Sequence, residues 1–78
     1  MQNQTATTDR TATGSPVDNI TYNLLQTLTS KLEAIEAYGK YMRDADGETR
    51  QFFEDCLHSE HESVEKLLRL LKQRFAGR

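Results

Sequence analysis

Residues Tyr41–Arg50, YMRDADGETR, hold the break on which the fold turns. Asp44-Ala45-Asp46-Gly47 separates two long runs patterned as helices, because aspartate favours turns and glycine takes the left-handed conformation that ends a helix. Upstream, NITYNLLQTLTSKLEAIEAYGKYMRDA continues without proline, with Asp18 or Asn19 placed to cap it, and predicts helix one over about 20–45. At about 100° per residue, Leu24, Leu25, Leu28, Leu32, Ile35, Gly39 and Met42 form one stripe. Downstream, helix two is predicted over about 48–75, with Phe53, Leu57, His61, Val64, Leu68, Leu71 and Phe75 on its stripe and Leu67 beside it. Its glutamates come early and Lys66, Arg69, Lys72 and Arg74 late, which suits the helix dipole.

Two helices of similar length joined by so short a turn must lie antiparallel, and positions whose numbers sum to about 92 should face each other. Ile35 is then expected near Leu57, and Leu28 near Val64. A hairpin is a single layer, so each stripe stays covered on one side only. The fold class expected is all-α: an antiparallel helical hairpin that dimerises into a four-helix bundle. The interface is assigned to Leu24, Leu28, Leu32, Ile35, Leu57, Val64, Leu68 and Leu71. A longer coiled coil is disfavoured, because Glu36, Glu60 and His61 interrupt a strict heptad seam.

The 78 residues allow one small domain, which buries a smaller share of its surface than a larger one. With a single cysteine, Cys56, no internal disulfide can support it, and assembly is the remedy available. Residues 1–19, rich in threonine, glutamine, serine and glycine, are too polar to order themselves and read as a disordered tail. A formal charge of -2 with both signs interspersed gives no basic patch for a phosphate backbone, so nucleic acid is not expected as a partner. No apolar run approaches the length of a membrane span or a signal-peptide core, and the chain reads as cytoplasmic, with no membrane partner.

One constellation raises metal chemistry. Glu54, His58, His61 and Glu65 are spaced by four, three and four residues, so they share one arc at the edge of the helix-two stripe, with Glu36 of helix one at the same level. Imidazole and carboxylate so arranged are how helical bundles hold metals. The candidate ligands are Glu36, His58, His61 and Glu65, with iron or zinc as the ion. Set against this, a glutamate-rich helix places carboxylates at such spacings by chance, and the reading preferred is that no cofactor is bound. Phosphate loops, serine elbows and paired cysteines do not occur.

LEAIEAYGKYMRDA and EHESVEKLLRLLK resemble the first and second helices of the ferritin-like superfamily, over about Leu24 to Lys72. That superfamily carries a ligand glutamate before an alanine-isoleucine and tyrosine pattern, then a Glu-x-x-His motif followed by a leucine-rich turn. Matching Ala34, Ile35 and Tyr38 puts Lys31 where the ligand glutamate belongs. Matching Glu60 and Leu67 puts Ser63 where the histidine belongs. The resemblance implies a half-bundle whose metal positions are degenerate, with an ion pair between Lys31 and Glu60 in place of a metal. The function expected is therefore a non-enzymatic assembly or interaction protein that pairs with itself, as a homodimer or higher oligomer, or with another protein. The alternative is a half-ferritin that stores or oxidises iron at a site completed across a dimer interface.

Overall fold

The computed structural model describes residues 16–76, so the segment read as a polar tail lies almost wholly outside the described residues. Two helices, α1 (Asn19–Arg43) and α2 (Gly47–Ala76), pack against each other as an antiparallel hairpin. Their bounds fall within two residues of those expected from the sequence. Asp18 caps α1 by accepting the Thr21 backbone N–H at 2.8 Å, as a short acidic side chain at that position should.

The turn is built differently from the expectation. The chain leaves α1 through Asp44 in the right-handed region, with the Asp44 and Ala45 N–H groups donating to the Tyr41 and Met42 carbonyls. The left-handed residue is Gly47, with φ of 58°, and it opens α2 instead of closing α1. Arg50 closes the corner twice: its N–H donates to the Asp46 carbonyl, and its guanidinium donates to the Met42 carbonyl at 3.4 Å. Tyr38, Tyr41 and Phe53 stack at this end, with ring centroids 5.4 to 6.2 Å apart.

Between the helices, buried and half-buried positions recur by alternating threes and fours. On α2 they are Phe53, Leu57, Glu60, Val64, Leu67, Leu71 and Arg74; on α1, Thr21, Leu24, Leu28, Lys31, Ile35, Tyr38 and Met42 follow the same rhythm. This is a heptad seam. It corrects the sequence expectation, since Glu60 sits inside the seam while Glu36 and His61 are exposed outside it and interrupt nothing. Lys31 Nζ donates to Glu60 Oε1 at 3.2 Å, with both side chains about three-quarters covered. Arg74 reaches Thr21 and Asp18 at the open end. These contacts pair residues whose numbers sum to 91, 95 and 92, close to the register expected.

Candidate interaction surface

The seam leaves a thin core. Val64, Leu67 and Leu71 are the buried apolar side chains among the described residues, whereas Ile20, Leu32, Tyr41, Phe52, Leu68, Leu70 and Phe75 stand 40 to 60 % exposed. Of the eight residues assigned to an interface, Val64 and Leu71 are buried, and Leu24, Leu28, Ile35 and Leu57 are half-buried, within the hairpin's own seam. Leu32 and Leu68 face solvent. Ile20, Phe52 and Leu70, which the expected set omitted, are open as well. The signal for them was present, as apolar residues beside the stripes.

The exposed side chains sort onto two flanks. In an antiparallel heptad pair, residues one place after Leu24, Lys31, Glu60, Leu67 and Arg74 emerge together, giving Leu25, Leu32, His61, Leu68 and Phe75. Those one place before Thr21, Ile35, Met42, Leu57, Val64 and Leu71 emerge on the opposite side, giving Ile20, Ala34, Tyr41, Cys56, Ser63 and Leu70. Phe52 precedes Cys56 by one turn and shares that side. The two flanks differ in charge. The Leu70 flank carries no Asp, Glu, Lys, Arg or His in its inner rows, and its outer rows, which hold Asn23, Ser30, Ala37, Ser59 and Gln73, contribute Lys66 and, at the C-cap of α1, Asp44. The Leu68 flank carries Glu36, Arg43, Glu54, Glu65 and Lys72 together with both histidines.

Every candidate metal ligand lies on that charged flank. Glu36, His58, His61 and Glu65 are all exposed, and His58 Nε2 lies 3.2 Å from Glu62 Oε2. Glu54 is engaged by Arg50 at 3.6 Å. Among the described residues, no three histidine, cysteine or carboxylate side chains gather closely enough to hold a metal ion. Midway along the hairpin, inside the seam, stands the ammonium of Lys31, bonded to Glu60. A fixed cation at that level does not fit a metal centre. Cys56 is a half-buried free thiol on the Leu70 flank. Surface depressions at the turn, lined by Tyr41, Asp46 and Phe53, and on α2, lined by Glu65, Leu68 and Lys72, are open to solvent and enclose nothing.

Among the described residues, no helix is long and apolar enough to cross a membrane. No family model matches the chain, and no curated protein or solved structure matches it either.

Proposed function

We propose that this chain is a non-enzymatic assembly protein whose hairpins associate with one another into a four-helix bundle of ferritin-like form. One observation carries the reading: seven large apolar side chains remain 40 to 60 % exposed along a hairpin whose apolar core is three residues. Completing the burial of a half-exposed leucine or phenylalanine is worth about 1 kcal/mol, so several such groups per chain supply the drive to associate. The Lys31–Glu60 pair supports assembly over ferroxidase chemistry, because on the ferritin-like resemblance Lys31 stands where a ligand glutamate would be needed and its ammonium is held by Glu60.

Native mass spectrometry of the untreated protein at micromolar concentration tests this. The expected species is a dimer or a multiple of it, free of stoichiometric metal. A folded monomer would overturn the reading. So would one or more iron or zinc ions per pair that disappear in His61→Ala.

A further inference from the structure

We infer that the copies join through the Leu70 flank, turned head to tail, so that the hairpin turn of one lies against the open end of the other. The inference rests on the self-association proposed above and adds which face is used and in which orientation.

The face follows from charge. The centre of a protein interface is depleted in charged residues relative to the remaining surface. The Leu70 flank meets that condition and the Leu68 flank does not. Its apolar groups sit at both ends, with Ile20 and Leu70 at the open end and Tyr41 and Phe52 at the turn. Small, half-buried side chains lie between them: Ala34, Ala37, Cys56 and Ser63. A surface that is low in the middle and apolar at its ends lets another pair of helices settle closely along it. The flank is about 37 Å long, from α1, and about 20 Å wide for two helices. Roughly 700 Å² per copy results, near the 800 Å² that a standard stable interface buries from each partner.

The orientation follows from a lengthwise charge imbalance. The turn half of the hairpin, residues 31–62, holds nine acids and four bases, a formal charge of -5 with neutral histidines. The open half, residues 16–30 and 63–76, holds two acids and four bases, a formal charge of +2. Side-by-side copies pointing the same way would set -5 beside -5. Head to tail, each acidic half lies along a basic one, the arrangement a two-fold axis across the flank produces.

A matched pair of substitutions reads out the face. Leu70 and Leu68 are two residues apart, 40 and 44 % exposed, and on opposite flanks, so a glutamate at either costs the isolated hairpin little. Leu70→Glu should weaken self-association at least about tenfold by sedimentation, through burial of an unpaired carboxylate, while Leu68→Glu leaves it unchanged. The reverse pattern overturns the assigned face. For orientation, a nitroxide on Gln73→Cys in a Cys56→Ser background should report a separation between copies of about 35 Å, twice the rise from the middle of α2 to residue 73. A separation under about 15 Å would establish parallel copies and overturn the orientation. A wild-type monomer instead defeats the proposed function itself, so the two failures are distinguishable.

Discussion

Thr21 is only 2 % exposed, and two residues at the open end of the hairpin engage it, Asp18 at its backbone N–H and Arg74 at its hydroxyl. Arg74 Nε donates to Thr21 Oγ1 at 2.9 Å, and Arg74 Nη2 donates to Asp18 Oδ2 at 2.7 Å. The Thr21 backbone N–H, then its hydroxyl, then the Arg74 guanidinium hold the Asp18 carboxyl down from 3.8 to about 2. Because the folded value lies below the unfolded one, the clasp contributes fully above about pH 4 and is lost as pH falls towards about 2. Thermal melts from pH 7 to 2 should therefore show a shallower acid decline in Asp18→Asn than in the wild type, and parallel curves would refute the clasp. Two glycines make a second comparison at this scale. An added Cβ meets nothing within 4 Å at Gly39 or Gly47, so backbone conformation alone decides the outcome. Gly47→Ala should destabilise by about 1 kcal/mol, since an L-residue is strained at φ of 58°. Gly39→Ala, inside α1, should stabilise by about 0.5 to 1 kcal/mol. Chemical denaturation that gave both changes the same sign would contradict this account. Asp18 as a cap was legible in the sequence, because capping is local chemistry. The clasp was not, because a residue 56 positions away completes it.

At the scale of the helices, the sequence reading and the structure part gradually along α2. The stripe read at 3.6 residues per turn passes through Phe53, Leu57, Val64 and Leu71, as the seam does, but takes His61, Leu68 and Phe75 where the seam takes Glu60, Leu67 and Arg74. A straight 3.6-residue period drifts about 20° per heptad from the 3.5-residue seam that two packed helices share. Ranking positions by apolarity compounds the drift, since Glu60 and Arg74 hold seam places as long side chains whose polar heads find partners. The register was more legible than the rotation. It is fixed by the length of the turn, and it anticipated the meeting of Lys31 with Glu60. That pair is expected to set alignment more than stability, because covering two charges costs much of what their attraction returns. Replacing it with Lys31→Met and Glu60→Leu together should leave the urea midpoint unchanged or raised. A double-mutant cycle with alanine should give a coupling of about 1 kcal/mol or less. A collapse of the midpoint in the Met/Leu variant would show that the ion pair is a net source of stability.

For the whole molecule, the proposed assembly ties folding to concentration. A hairpin with three buried apolar residues has little stability of its own, so melting should separate the copies and unfold the helices in one step. Two described chains contribute about 120 residues, and unfolding entropy near 2.1 cal/mol/K per residue gives roughly 0.25 kcal/mol/K for the pair. A tenfold dilution removes about 1.4 kcal/mol of association free energy, so Tm should fall by about 6 °C per decade of dilution. Val64→Asp sharpens the test, because it sets a carboxylate among the buried side chains of the seam at a cost of several kcal/mol. Leu28→Asp does the same on α1, where Leu28 is half-buried in that seam. Both variants should run as unfolded monomers in gel filtration with light scattering. Cooperative melting of either variant at unchanged oligomer size would contradict the coupling. So would a wild-type Tm that stays constant across two decades of dilution, since the exposed leucines and phenylalanines would then be carried by a hairpin that stands alone.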